Sequence, residues 1–111
     1  MDAVLQALSD PSRRAVLKAL SEGPTTVGEV AALLPIARPG VSRHLRVLRE
    51  AGLVEVHQKA QFRIYSLSPE PLAQLDEWLG PYRSLWEQRM DALQTEITRG
   101  KKEPKEPRRE S

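Results

Sequence analysis

One stretch constrains this chain more than any other: "RPGVSRHLRVLREAGLVEV", residues 38–56. Val41, Leu45 and Leu48 recur at helical spacing on one side, while Arg43 and Arg46 project from the other, with Ser42, Arg38 and Arg49 at the margin. Pro39 suits a first helical turn and Ala51-Gly52 suits a stop. Such a helix must seat its apolar side on a core and turn a row of guanidiniums outward. The outward side is then either a solvated charged face or a surface laid against an anion.

The preceding residues supply the rest of the core. In "DAVLQALSDPSRRAVLKALSEG", Val4, Leu5 and Leu8 form one apolar stripe and Val16, Leu17 and Leu20 another. Asp10 or Ser9 is the N-cap between the two helices, with Pro11 at the first helical position and Gly23-Pro24 closing the second. Thr26 and Glu29 in "TVGE" make a capping box, opening a helix that buries Val27, Val30, Ala31 and Leu34 and ends at Pro35. Two short helices joined by a turn of about four residues form a helix-turn-helix unit, whose second helix is the one that enters a major groove.

After that helix, Leu53, Val54 and Val56, then Phe62, Ile64 and Tyr65, flank the polar run Gln58-Lys59-Ala60-Gln61, a hairpin pattern. The loop has neither Asn-Gly nor Asp-Gly, so its turn type stays open. A basic hairpin directly after a recognition helix reads as a wing, with Lys59, Gln61 and Arg63 placed to touch phosphate or minor groove. From Ser68, an N-cap candidate followed by Pro69, the pattern is helical again. Leu72, Leu75, Leu79, Tyr82, Trp86, Leu93 and Ile97 follow close to a seven-residue repeat, with Arg89 or Met90 filling its gap. A helix over 69–97 would be about 40 Å long, more than a small core covers. Its stripe with Trp78, Tyr82 and Trp86 is therefore expected to pack on a second copy. Gly80-Pro81 predicts a kink or brief break near Leu79-Gly80. Residues 99–111 carry no apolar side chain and are expected to be a disordered basic tail beyond a domain spanning 1–98.

Composition sharpens the functional reading. The net charge of +2 is polarised: residues 1–37 carry −1, 38–63 carry +4, 64–98 carry −4 and 99–111 carry +3. Positive charge gathered in one central block is what a polyanion recognises. The absence of cysteine excludes disulfides, thiolate metal sites and cysteine nucleophiles. No apolar run reaches a membrane span, and Met1-Asp2 begins no signal peptide, so a soluble cytoplasmic protein without membrane contact is expected. No nucleophile stands beside a base and no glycines form a phosphate loop, so an enzyme is not expected.

The runs "DPSRRAVLKALSEGPTTVGEVA", "RPGVSRHLRVLREAGLVEV" and "FRIYSLSPEPLAQLDEWL" together resemble the ArsR/SmtB family of bacterial winged-helix repressors, in particular a metal-site-lacking branch with an "RP-x-VS-x-HL" recognition helix. The resemblance covers roughly residues 1–97. It implies a mainly α fold with a β-hairpin wing, a dimeric winged helix-turn-helix of four helices, hairpin and last helix. It also implies a homodimer built from the first and last helices and bound to an inverted-repeat DNA operator. Carried onto this chain, the DNA-reading positions are Arg38, Ser42, Arg43, His44 and Arg46, with the wing at Lys59, Gln61 and Arg63. The dimer face is Val4, Leu8, Leu72, Leu75, Leu79, Tyr82, Trp86 and Leu93.

Departures from the family bear on sensing. Where its thiolate sensor would lie, this chain reads Gly28-Glu29-Val30-Ala31-Ala32. Its last helix has Asp76, Glu77, Glu87, Asp91 and Glu96 but no histidine, and His44 and His57 make no evident pair. No metal and no other cofactor is therefore expected. The rival reading is a winged helix that binds only proteins, which would present an apolar or acidic recognition surface. A mixed reading has a DNA-binding dimer whose inducer is sensed by a separate partner protein.

Overall fold

The computed structural model describes residues 1–101. Its elements run α1 (Asp2–Leu8), α2 (Pro11–Leu20), α3 (Val27–Leu33), α4 (Arg38–Glu50), β1 (Val54–Lys59), β2 (Phe62–Leu67) and α5 (Glu70–Lys101). They divide into one compact unit, residues 1–75, and a second unit from Asp76 onward.

Side-chain chemistry sets most helix ends in the first unit. Asp10 caps α2, its carboxylate accepting from the Ser12 amide at 2.8 Å, and Pro11 follows. The three carbonyls that end α1 are satisfied by guanidiniums: Arg13 donates to Ala7 at 2.7 Å and Gln6 at 3.1 Å, and Arg14 donates to Leu8 at 2.8 Å. The capping box of α3 is complete, with the Glu29 amide donating to Thr26 Oγ1 at 3.2 Å and the Thr26 amide donating to Glu29 Oε1 at 3.0 Å. The end of α4 is a Schellman motif. The Leu53 amide donates to the Leu48 carbonyl and the Gly52 amide to that of Arg49, both at 2.9 Å, with Gly52 at φ +84°. Leu48 and Leu53, the pair that this motif brings together, are both fully buried.

The core consists of Val4, Ala7, Val16, Leu20, Val30, Val41, Leu45, Leu48, Leu53, Val54 and Tyr65, with no polar or charged residue buried among those described. The strands pair antiparallel from Val54↔Leu67 to Lys59↔Phe62, leaving Ala60-Gln61 as a two-residue turn. Ala60 takes the positive φ (+56°) that this turn needs, without the usual glycine or asparagine. Thr25 adds a one-residue third strand, exchanging both backbone hydrogen bonds with Tyr65 at 2.8 and 2.9 Å. That bridge ties the hairpin to the start of α3.

Several expectations are corrected here. Val4, assigned to the dimer face, is 7% exposed in its own chain's core, and Ala7 is buried beside it; Leu5, read into one apolar stripe with Val4 and Leu8, is 45% exposed. In a helix of seven residues the buried line runs through positions 4, 7 and 8, three and four residues apart on one side of α1. The last helix starts at Glu70, with the Pro69 carbonyl accepting from the Ala73 amide, rather than at Pro69 with Ser68 as cap. It also extends past residue 97 to Lys101, taking in the first residues of the expected tail; positions 102–111 of that tail lie outside the described residues.

Of the kink or brief break expected near Leu79-Gly80, the break does not occur: α5 runs unbroken through Pro81. Side chains that follow the proline engage backbone carbonyls that precede it. Arg83 donates to the Asp76 carbonyl at 2.9 Å as well as to its carboxylate at 2.6 Å, and Ser84 Oγ donates to the Gly80 carbonyl at 3.2 Å.

Two predictions follow from these helix ends and interruptions. Pro81→Ala restores the missing amide and should raise helicity and thermal stability, by up to the ~3 kcal/mol that separates proline from alanine in a helix interior; circular dichroism melts read it. Acid should destabilise the first unit through its caps. The Ser12 amide, aided by the charges of Arg13 and His44, holds the Asp10 carboxyl below its ordinary 3.8. The Thr26 amide, then the Thr25 and Thr26 hydroxyls, hold Glu29 below its ordinary 4.5. Depressed folded-state values contribute stability above the unfolded values and lose it as pH falls through the folded ones. Melting temperature should therefore hold above about pH 5 and drop below about pH 4, and Asp10→Asn with Glu29→Gln should flatten that drop.

Candidate nucleic-acid interface

The surface of interest is built on α4. Val41, Leu45 and Leu48 are each 0% exposed, so the helix cannot rotate about its axis without exposing one of them. Pro39 lies in its first turn, and Gly40 admits the preceding turn: a Cβ there would stand 3.1 Å from Ile36 Cγ2. With the buried side fixed, at ~100° per residue the other positions have determined directions. Arg43 stands on the outermost side, opposite the core. Arg38, Ser42, Arg46 and Arg49 stand on the flank facing the hairpin, and all five are exposed.

Strand register decides what the hairpin contributes. Val56 pairs with Tyr65 and Gln58 with Arg63, so Arg63 shares the inward hairpin face with Tyr65, whereas Lys59, paired with Phe62, lies on the other. The Arg63 guanidinium sits over the Tyr65 ring, 5.7 Å from its centroid, a cation–π contact that holds it near α4. Gln61 lies in the exposed turn.

The sequence-assigned residues thus separate into groups. Ser42, Arg46 and Arg63 come together in a recess of about 280 Å³, completed by Arg49 and Tyr65. Arg38 and Gln61 join Ser42 and Arg63 in an adjoining recess of about 380 Å³ that also reaches Thr26, Val27 and Phe62. The Arg38 guanidinium lies over the first turn of α3, where a Cβ on Gly28 would touch it at 3.7 Å. Arg43 is not part of either recess and Lys59 is on the far hairpin face. His44 is placed differently from the expectation. It is only half-exposed, on the flank of α4 opposite Ser42, close enough to act electrostatically on Asp10, and its Nδ1 is buried without a hydrogen-bond partner.

Sequence reasoning left Arg49 at the margin and gave Tyr65 no role. The signal for Arg49 was present in the spacing of Ser42, Arg46 and Arg49, four and then three residues apart on one helix flank. The ion pairs of the described residues, Arg13–Asp10, His57–Glu55 and Arg83–Asp76, involve none of the arginines on this surface. Among the described residues no group of three or more His, Cys, Asp or Glu side chains could hold a metal, and none of their helices is long and apolar enough to cross a membrane.

Comparison with known proteins agrees with this architecture. A helix-turn-helix domain model matches residues 8–57. The chain is 47% identical over 74 residues to the HTH-type transcriptional regulator Rv2034 of Mycobacterium tuberculosis, covering 67% of this chain and 69% of that protein. It is 38% identical over 79 residues to the transcriptional repressor SdpR of Bacillus subtilis, covering 71% and 88%. Among solved structures, an ArsR family transcriptional regulator matches with a TM-score of 0.67 and 37% identity over 78% of this chain and 94% of that one. The transcriptional repressor BigR from Xylella fastidiosa matches with a TM-score of 0.59 and 36% identity, over 70% and 80%. With its helix order, hairpin wing and these similarities in agreement, this chain belongs to the ArsR family of winged helix-turn-helix transcriptional regulators.

Proposed function

We propose that this protein is a transcriptional repressor of the bacterial cytoplasm that binds an inverted-repeat operator as a homodimer. One observation carries the DNA-binding half of this reading. The outer side of α4 and the inward tip of β2 present Arg38, Arg43, Arg46, Arg49 and Arg63, none of them in an ion pair among the described residues. A surface of that kind is matched by a polyanion, and α4 is the second helix of the helix-turn-helix. A protein-binding winged helix would present apolar or acidic groups in the same place.

The homodimer rests on α5. Trp78, Leu79, Tyr82, Leu85, Trp86, Met90, Leu93 and Ile97 are each at least 40% exposed. A contiguous apolar stripe of this size, with Trp78 and Tyr82 rings 5.1 Å apart, marks an association surface. Within the first unit, α1 offers exposed Met1 and Leu5 where Val4 was expected to serve. For metal sensing the chain offers no thiolate, having no cysteine, and its two histidines stand on different elements, α4 and β1.

Two experiments test this. Sedimentation equilibrium should show a dimer at micromolar concentration, and Trp86→Ala should weaken it by about 2–4 kcal/mol, as for a central aromatic anchor. A folded wild-type monomer at tens of micromolar would remove the dimer. Footprinting upstream of the gene and its neighbours should reveal two half-sites read by α4 in successive major grooves. On that operator Arg43→Ala should cost about 1–3 kcal/mol per half-site and relax sequence preference, because Arg43 is the arginine of α4 that stands opposite its buried side. Equal losses on operator and scrambled duplex would make Arg43 a backbone contact instead.

A further inference from the structure

We propose that the recess between α4 and β2, lined by Ser42, Arg46, Arg49, Arg63 and Tyr65, is a receptor for a single phosphate group. The group is carried either by the DNA backbone or by a free phosphate-bearing anion. For the first source the proposal rests on the DNA-binding reading above.

Three guanidiniums from two different elements meet here, with no carboxylate in the lining. Neither nearby acidic side chain joins the lining: Glu50, four residues after Arg46, makes no ion pair among the described residues, and Glu55 lies on the far hairpin face, 3.4 Å from His57. Bringing like charges together without a counterion opposes folding, and an anion in their midst relieves that repulsion. Guanidinium forks match phosphate oxygens two at a time, and the Ser42 hydroxyl adds a neutral donor. Tyr65 fixes the wing-borne member: it is 7% exposed, bonded through its backbone to Thr25, and lies under the Arg63 guanidinium.

Size and position narrow the occupant. At about 280 Å³ the recess falls at the low end of ligand sites, suited to one small charged group rather than to a cofactor. It is set back on the flank of α4, away from Arg43. A helix lying in a groove turns that flank toward the groove wall, which is lined by phosphates, and its outermost side toward the bases. Helix and wing would then hold one phosphate jointly, fixing the register from which Arg43 reads.

The test uses the full-length chain with Arg49→Gln, Arg63→Gln and the double variant. Lys18→Gln, an exposed position on α2, serves as control, and thermal melts confirm the fold. Operator and scrambled duplexes are titrated by fluorescence anisotropy across a salt series. Each single variant should weaken both duplexes by the same factor and make the log–log salt slope shallower by about one per half-site. The double variant should change the slope no more than either single, because both arginines serve one phosphate. In a second arm, inorganic pyrophosphate is titrated into the DNA-free protein at matched ionic strength, following arginine Nε–Hε resonances. Saturable shifts lost in both single variants, with duplex binding unchanged by them, assign the receptor to a free anion.

Losses confined to the operator would mean base reading and overturn the proposal. A double variant that loses twice the slope change would mean two separate contacts and would also overturn it. So would variants with no effect in either arm. A wild type that binds neither duplex refutes the DNA-binding reading instead, and the pyrophosphate arm then decides the recess alone.

Discussion

The burial of Val41, Leu45 and Leu48 beneath α4 is the constraint on which the rest depends. Each is fully buried, and fully burying a side chain of this kind stabilises by about 1.5–3 kcal/mol. Three together approach the whole net stability of a small domain. α4 also touches α1, α2, α3 and β1, so the core forms around it rather than beside it. Because the buried side is fixed, the exposed side is too, and the arginines take their directions without any contact of their own. Function here is a consequence of packing on the opposite side of one helix.

The cost of that arrangement is electrostatic. Arg46, Arg49 and Arg63 crowd together without an acidic partner among the described residues, while the acidic groups of the chain concentrate on α5. Dispersing them as ion pairs would lower self-repulsion but would neutralise the surface. The chain instead holds Arg63 through Tyr65, using a ring quadrupole in place of a carboxylate. An aromatic partner positions a guanidinium and leaves its charge available, which a carboxylate does not.

Much of this was legible in the sequence, because helix starts and stops are local. Asp10-Pro11, Thr26…Glu29 and Ala51-Gly52 each act within a few residues, and each is found as read. What was not legible depends on geometry between elements. The hairpin register follows from Ala60 accepting a positive φ that its residue type does not advertise, and that register sends Arg63 inward and Lys59 outward. Val4 and Leu5 are equally apolar, so only the way α1 lies on its neighbours could decide which is buried. His44 flanks the recognition face in sequence, yet one helical step from Arg43 turns it toward Asp10. At Pro81 the helix continues, with Arg83 and Ser84 bonding the Asp76 and Gly80 carbonyls that precede it.

The path from the helix-turn-helix to the wing can be followed contact by contact. The Glu29 carboxylate accepts from the Thr26 amide and from the Thr25 hydroxyl at 2.9 Å. Thr25 pairs through its backbone with Tyr65, and Tyr65 carries Arg63. The capping box of α3 therefore does two things at once: it starts a helix and it fixes the strand beside which the basic recess forms. Arg38, lying over the first turn of α3 at Gly28, closes the same corner from the side of α4. A hairpin attached only by its loop to α4 could swing, and its arginine would sample many positions. Anchored at Thr25, it holds Arg63 against the flank of α4, and the ordering is already accomplished in the free protein before any anion arrives.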